Sequence, residues 1–174
     1  MGRIKSLATM KACSLIFCME TGPAFNGSSP ETGLPVSFSK TENVKWLAPL
    51  PGKSPATPVA WGDHVFVSSI DDGMDGLMAI CLDHHSGKEL WRKQIGVCPN
   101  KDERSNRTGP SPVTDGRRVV FYYGTGDLAC FYFAGGVLWK KSITKEYGNF
   151  AYQWTVQRQP DAARRATLCS RASA

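Results

Sequence analysis

The three histidines are the first side chains to consider for metal binding or acid–base catalysis. His84 and His85 are adjacent, so on an extended chain their rings point apart, and they lie in a D-x-x-S-G turn. His64 follows a Gly-Asp pair at the expected start of a strand. We therefore expect turn residues rather than ligands, and we assign no catalytic residue, no cofactor-binding residue and no metal ligand.

Two glycine-containing segments are the next candidates, because such segments can bind ions. Residues 71–76, D-D-G-M-D-G, miss the D-x-[DN]-x-[DN]-G spacing of a calcium loop and its glutamate at position twelve, so we expect a hairpin loop. Residues 124–127, G-T-G-D, precede a strand, whereas a phosphate-binding loop precedes a helix. The six cysteines contain no C-x-x-C pair and so give no support for a zinc or dithiol redox site.

The charge distribution argues against nucleic-acid binding. The formal net charge of the 174 residues is +6, but it is carried by the two ends, and residues 12–154 have no net charge. A neutral central region has no overall attraction for phosphate. The longest apolar runs fall well short of the roughly 18 residues that a transmembrane helix requires, so we expect no transmembrane segment.

The pattern from Val44 to Ile143 is typical of an all-β protein. Short runs rich in Val, Phe, Tyr and Trp alternate with turn residues at roughly 8–12-residue spacing. No segment keeps a 3.6-residue period for three turns, so we expect no helix there. The expected strands are Val44–Pro49, Thr57–Trp61, His64–Ser69, Leu77–Asp83, Glu89–Ile95, Ser111–Thr114, Arg117–Tyr123, Leu128–Phe133 and Val137–Ile143.

The second half of this region repeats the first. T-P-V-A-W-G-D-H-V-F-V from Thr57 aligns with S-P-V-T-D-G-R-R-V-V-F from Ser111, 54 residues later. G-K-E-L-W from Gly87 aligns with G-G-V-L-W from Gly135, 48 residues later. Four short strands in a repeat of this length are typical of a β-propeller blade.

The residues that define the repeat are of types that usually serve the fold, tryptophan for packing and glycine for turns. A large indole ends each successive unit, at Trp46, Trp91 and Trp139. We expect these rings to fill the space between neighbouring blades. Tight turns are expected at Gly62, Gly87 and Gly116. Because a four-stranded blade has two apolar faces, it cannot bury both without neighbours.

The length limits how much of a ring the chain can form. A propeller has four to eight blades, and the smallest requires roughly 180 residues. About 100 residues here are blade-like, which is enough for two blades and one leading strand. We therefore expect an incomplete propeller over residues 25–154, with protein partners or the missing blades of the same ring completing it.

The two ends differ from the central region. Residues 1–24 have a basic start and a short apolar run, A-C-S-L-I-F-C-M from Ala12, but no small-x-small cleavage site follows. We expect a signal segment or a disordered one. Residues 155–174 carry no aromatic residue and no strand alternation, and we expect a disordered or out-of-frame tail. The expected location is periplasmic or extracytoplasmic, and otherwise that of a cytoplasmic fragment.

Several segments resemble PQQ-like (pyrroloquinoline-quinone-like) β-propeller repeat proteins of planctomycete-type bacteria. They are F-N-G-S-S-P-E-T-G-L-P from Phe25, T-E-N-V-K-W from Thr41, C-L-D-H-H-S-G-K-E-L-W-R from Cys81, S-P-V-T-D-G from Ser111, G-T-G-D-L-A-C from Gly124 and Y-G-N-F-A-Y-Q-W from Tyr147. The resemblance covers residues 23–154. Only Gly-Pro remains of the usual W-P-x-x-R-G-P lead-in, and the strand motif that normally follows Trp154 is absent.

The resemblance implies an all-β fold of two four-stranded antiparallel blades of an incomplete β-propeller, with irregular ends. The superfamily includes quinoprotein dehydrogenases, which hold PQQ over a tryptophan with a Ca²⁺ bound by Glu, Asn and Asp, often beside a vicinal disulfide. It also includes the outer-membrane-protein assembly lipoprotein, to which the chain is distantly similar. No adjacent cysteines occur here, so we expect no cofactor; PQQ with Ca²⁺ would require a complete dehydrogenase-type relative.

These observations favour a non-catalytic fragment whose parent protein is a binding scaffold for protein partners in the cell envelope. One alternative is a fragment of a PQQ-dependent quinoprotein dehydrogenase. The other is a truncated gene product without function.

Overall fold

The computed structural model describes residues 3–7 (as backbone), 32–33, 35–37, 39, 41–71, 73, 76–98 and 107–148. These residues form ten strands and one short helix. The strands are β1 Arg3–Leu7, β2 Val44–Pro49, β3 Val59–Trp61, β4 His64–Ile70, β5 Gly76–Asp83, β6 Glu89–Val97, β7 Val113–Thr114, β8 Arg118–Tyr122, β9 Asp127–Tyr132 and β10 Val137–Ser142, and the helix is α1 Ile143–Tyr147.

Eight of these strands form two sheets with the same topology. Blade 1 has the order β3-β4-β5-β6 and blade 2 has the order β7-β8-β9-β10. Each strand pairs antiparallel with the next one along the chain. The all-β prediction of two four-stranded antiparallel blades is therefore confirmed.

The first strand of each blade is shorter than the sequence pattern suggested. We expected strands from Thr57 and Ser111, whereas β3 begins at Val59 and β7 at Val113. The residue before each observed start is a proline, which has no N–H to donate to a neighbouring strand. The proline therefore delays the start of hydrogen-bonded pairing.

The helix α1 begins at Ile143, the last residue of the region in which no helix was expected. It has five residues and ends at Gly148, whose N–H donates to the Thr144 carbonyl oxygen. A single turn is too short to show a helical period in the sequence.

The described part of the N-terminus is a strand. β1 pairs antiparallel with β2, so that Arg3 lies opposite Pro49 and Ile4 opposite Ala48. The rest of residues 1–24, and all of residues 155–174, lie outside the described residues. The expectations of a signal segment and of a disordered tail therefore stay predictions.

The main core lies between the two blades. Phe66 of β4 meets Phe121 of β8 edge to face, with ring centroids 6.5 Å apart, and Phe121 meets Phe131 of β9 in the same way at 5.9 Å. All three side chains are fully buried. Leu77, Ala79, Cys81, Cys98, Val119, Tyr123 and Ala129 complete this layer, which holds one blade against the other.

A second apolar layer covers the opposite face of blade 1. Ala48 and Leu50, at the end of β2, contact a cluster that includes Val65, Val67 and Ile80. Since successive side chains of a strand point to opposite faces, Val65 and Val67 face β2 while Phe66 between them faces blade 2. Blade 1 is therefore covered on both sides, which explains why β5 is buried almost throughout.

Candidate functional site: indole–turn contacts between blades

The turn between β5 and β6 is built around one carboxylate. Asp83 Oδ1 accepts hydrogen bonds from the backbone N–H of His85 at 3.1 Å and of Ser86 at 2.7 Å, and from the Ser86 hydroxyl at 2.6 Å. Gly87 closes the turn with a φ of 71°. The hydrogen bonds from Ser86 are the largest cause of a pKa of Asp83 below its usual value.

The first predicted indole, Trp46 of β2, lies on this turn. Its Nε1 donates a 2.9 Å hydrogen bond to the His84 carbonyl oxygen. A Cβ added to Gly87 would overlap the Trp46 ring, so only glycine allows the ring to approach this closely. Trp46 thus contacts a turn that lies much later in the sequence, His84 being 38 and Gly87 being 41 residues after it.

The second predicted indole, Trp91 of β6, makes the same contact with blade 2. Its Nε1 donates a 2.7 Å hydrogen bond to the Phe133 carbonyl oxygen in the turn between β9 and β10. Gly135 in that turn has a φ of 86°, and a Cβ there would lie 2.9 Å from the Trp91 Cγ. The ring also packs against Phe131, at a centroid distance of 5.3 Å.

The third predicted indole, Trp139 of β10, has no such partner. It packs beside a small cluster formed by Val113, Val120 and Cys130 on the face of blade 2 that points away from blade 1. Its Nε1 is buried, and none of the described residues accepts a hydrogen bond from it. Trp139 therefore differs from Trp46 and Trp91 in this one respect.

The other two predicted turn glycines also adopt positive φ. Gly116, between β7 and β8, has a φ of 87°, and a Cβ there would overlap the ring of Trp61 from blade 1. Gly62, between β3 and β4, has a φ of 54° and has nothing within 4 Å of the position of an added Cβ. Gly116 thus both forms a turn and makes room for the Trp61 ring, whereas Gly62 only forms a turn.

Sequence reasoning did not single out Trp61 and Gly135, although both take part in these contacts. Gly135 could have been found from its alignment with Gly87, because the two glycines occupy equivalent turns. Trp61 has Asp115 at its equivalent position in the other repeat, so the repeat itself gave no signal for it.

The histidines occupy the turn end of blade 1. His85 Nε2 lies 3.0 Å from Asp63 Oδ1 in a solvent-exposed pair. His64 begins β4 and stacks on Phe66 with parallel rings 6.0 Å apart. The rings of His84 and His85 lie 5.5 Å apart, because the chain turns here rather than running extended. Within the described part of the chain, no three His, Cys, Asp or Glu side chains are grouped as a metal site requires.

The two glycine-containing segments act as turns where they are described. Asp71 donates its N–H to the Gly76 carbonyl oxygen, which closes the loop between β4 and β5. In the segment 124–127, Gly124 and Gly126 donate their N–H groups to carbonyl oxygens of Arg107 and Tyr123. The strand β9 follows at once, as expected. These N–H groups are therefore already bonded to the protein itself.

The repeated blades and indole–turn contacts define a PQQ-like repeat protein of the β-propeller class. The sequence profile of one family of this class, described as outer membrane protein assembly factor BamB, matches residues 31–172. The chain belongs to this family.

Three solved structures are similar to the chain. BamB from Moraxella catarrhalis aligns with 57% of this chain and 27% of its own, at 22% identity and a TM-score of 0.43. A europium-containing methanol dehydrogenase aligns with 57% of this chain and 19% of its own, at 17% identity and a TM-score of 0.42. The quinohemoprotein alcohol dehydrogenase from Comamonas testosteroni aligns with 59% of this chain and 17% of its own, at 19% identity and a TM-score of 0.41.

The aligned part thus spans about a quarter or less of the length of these structures. No curated protein sequence is significantly similar to the chain. None of the helices in the described residues has the length and apolar character needed to cross a membrane.

The tryptophans and aspartates of the described turns, residue types that hold PQQ and Ca²⁺ in some members of the superfamily, have partners within the protein. The rings of Trp46 and Trp91 lie against turn glycines, so these ring faces are occupied by the protein backbone. Asp83 and Asp115 accept hydrogen bonds from the N–H groups of their own turns.

Proposed function

We propose that the chain is the blade-forming part of a non-catalytic scaffold that binds protein partners in the cell envelope. The observation that carries this proposal is that the side chains best suited to chemistry are used to build turns. Asp83 accepts three hydrogen bonds within one turn, and Asp115 accepts the N–H groups of Arg117 and Arg118 within another. The carboxylates that could bind a ligand thus accept hydrogen bonds that hold the turns in shape.

Two exposed apolar side chains at one turn of blade 2 support a protein partner. Tyr132, at the end of β9, is 53% exposed, and Val137, at the start of β10, is 50% exposed. Both residues flank the tight turn in which the N–H of Tyr132 donates to the Gly136 carbonyl oxygen at 2.8 Å. Exposed apolar side chains are a feature of protein-binding surfaces. The description of the family as an outer membrane protein assembly factor is consistent with a partner in the envelope.

The test uses a photo-crosslinking amino acid placed at Tyr132 of the full chain, expressed in a Gram-negative host. We expect covalent adducts that contain outer-membrane assembly proteins. The same crosslinker at Lys88, which is exposed in the polar turn between β5 and β6, is the matched control and should give few adducts. Equal adducts at both positions, or none at either, would contradict the scaffold.

A second measurement separates the scaffold from an oxidoreductase. The full chain is incubated with PQQ, Ca²⁺, a primary alcohol and a redox dye. The scaffold predicts no dye reduction above that of the cofactor alone, whereas sustained, protein-dependent reduction would overturn the non-catalytic assignment.

A reporter enzyme fused behind residues 1–24 tests the location, because an exported reporter is active only outside the cytoplasm.

A further inference from the structure

The strands that carry the repeat tryptophans are basic, although residues 12–154 as a whole have no net charge. β2, β6 and β10 together contain five cations and one acidic residue, Lys45, Arg92, Lys93, Lys140 and Lys141 against Glu89. The rest of residues 12–154 therefore has a net negative charge. A neutral sum thus conceals a positive charge that is concentrated on these three strands.

Of the three strands, β10 has the least neutralised charge. In β6, Arg92 is paired with Glu89 at 2.6 Å, and β2 has a single lysine. β10 contains two exposed lysines, Lys140 and Lys141, and no acidic residue. Lys140 Nζ donates to the Gln94 carbonyl oxygen at 3.0 Å, which is an uncharged partner. Within the described part of the chain, no carboxylate forms an ion pair with either lysine.

The same strand is the edge of its sheet. Blade 2 has the order β10-β9-β8-β7, so among the described strands β10 pairs with β9 alone. Alternate N–H and C=O groups of an edge strand point away from its neighbour and can pair with an added strand. Val137, at the start of β10, is 50% exposed and adds apolar surface. This edge therefore combines backbone hydrogen-bonding groups, an apolar side chain and two cations within six residues.

We propose that the outer edge of β10 is a docking site for an acidic, extended segment of a partner protein, which adds to blade 2 as a fifth strand. Hydrogen bonds to the backbone of β10 hold the segment. Its acidic side chains lie beside Lys140 and Lys141, and an apolar side chain lies beside Val137. This inference rests on the proposed function, because it names the chemistry of the partner that the scaffold binds.

Charge complementarity selects this occupant over a second copy of the chain. Lysines on an edge strand hinder pairing between identical chains, because two copies bring like charges together. The same lysines attract a segment of opposite charge, so they exclude one occupant and favour the other. Lys140 and Lys141 are adjacent in a regular part of β10, so their side chains lie on opposite faces of the sheet. A segment with two adjacent acidic residues therefore places one carboxylate beside each lysine.

The experiment titrates a fluorescein-labelled hexapeptide, V-T-V-E-E-T, with the full chain and follows binding by anisotropy. The reversed peptide, T-E-E-V-T-V, allows for the other strand direction, and we expect saturable binding of at least one of them. Methylation of alternate backbone nitrogens removes the N–H groups along one edge of the peptide. Only one of the two alternate sets should abolish binding, because only one edge of an added strand faces β10. If neither set weakens binding, the peptide does not add as a strand and the proposal is overturned.

Variants of the chain test the position of the site. Lys140→Gln combined with Lys141→Gln should weaken binding about three- to tenfold, because two exposed ion pairs are lost. Lys141→Gln alone, which leaves the bond from Lys140 to β6 in place, should weaken it about two- to threefold. The matched control, Lys88→Gln, removes an exposed lysine from the turn between β5 and β6 and should leave the dissociation constant within about twofold. No binding of either peptide, or equal weakening by the control, overturns the proposal.

A second measurement distinguishes a peptide from a membrane surface. The full chain is mixed with vesicles of phosphatidylglycerol and sedimented. Vesicle binding that requires Lys140 and Lys141, without binding of either peptide, would assign this edge to anionic lipid and overturn the proposal. Crosslinking at Tyr132 in cells succeeds or fails independently of the peptide titration, so the scaffold and the acidic-segment site can fail separately.

Discussion

The Nε1 of Trp91 donates a 2.7 Å hydrogen bond to the carbonyl oxygen of Phe133, 42 positions further along the chain. The indole belongs to the last strand of one blade, and the carbonyl belongs to the last turn of the next blade. Trp46 and His84 repeat the arrangement one blade earlier at 2.9 Å. Blade 1 is thus joined to blade 2, and β2 to blade 1, by a directional bond as well as by apolar packing, and such contacts between neighbours stabilise repeat proteins.

The glycine beneath the indole gives the first prediction. Gly135→Ala should lower the free energy of unfolding by about 2–3 kcal/mol, because alanine is strained at a φ of 86° and its Cβ would lie 2.9 Å from the Trp91 Cγ. Urea unfolding followed by tryptophan fluorescence measures the change.

The neighbouring residue Gly136 provides the control for this change. Its added Cβ would meet only Tyr132 Cδ2, at an ordinary 3.5 Å, so Gly136→Ala should cost less than about 0.5 kcal/mol. Equal effects of the two substitutions would show that the turn responds to any side chain and that the indole contact is not the cause.

The sequence predicted the blades well because their signals are local and repeated. β2 has the bounds expected from the pattern, Val44–Pro49, and the turn of the first hairpin in each blade falls where a Gly-Asp or Asp-Gly pair stands. What the sequence could not supply is the partner of each indole. A tryptophan at the end of a repeat predicts a large buried ring, but the acceptor is a backbone carbonyl, which every residue has.

The turn around Asp83 gives a prediction for acidic pH. Hydrogen bonds from Ser86 lower the pKa of Asp83 in the folded chain, so the ionised carboxylate stabilises the fold above the unfolded-state pKa, and this stability is lost as the pH falls through the lower folded-state pKa. We expect Ser86→Ala to move the Asp83 pKa back towards its usual value. An NMR titration of the Asp83 carboxyl carbon measures it, and an unchanged pKa in Ser86→Ala would contradict the assigned cause.

The buried thiol of Cys81 gives a prediction for chemical reactivity. Burial, with a smaller contribution from the nearby Asp83 charge, raises the pKa of Cys81 from 9.0 to about 12. Because the thiolate is the reactive form, the thiolate fraction at pH 8 falls about a thousandfold. Iodoacetamide should therefore leave Cys81 unmodified in the native chain and modify it readily in urea. Mass spectrometry of the peptide that contains Cys81 decides, and rapid native labelling would show that blade 1 opens.

Two runs of three aromatic residues, F-Y-Y at 121–123 and F-Y-F at 131–133, show where sequence reasoning stops. Their spacing places successive rings on opposite faces of a strand, which predicts packing between blades. The structure buries Phe121, Tyr123 and Phe131 in the layer between the blades. Tyr132 is exposed instead, because it lies at the end of β9 where the chain turns. A period-2 pattern gives the face of a residue but not whether another element covers that face.

The contrast between the buried Phe121 and the exposed Tyr132 gives the last prediction. Phe121 meets Phe66, Trp91 and Phe131 at centroid distances between 5.9 and 6.5 Å, so Phe121→Ala should leave a cavity between the blades and cost about 3–5 kcal/mol. Tyr132→Ala, eleven residues later, removes a ring that is half exposed and should cost less than about 1 kcal/mol. Urea unfolding followed by far-ultraviolet circular dichroism compares the two. If Phe121→Ala unfolds with the midpoint of the unaltered chain, the aromatic layer does not hold the blades together, and the two sheets are independent units.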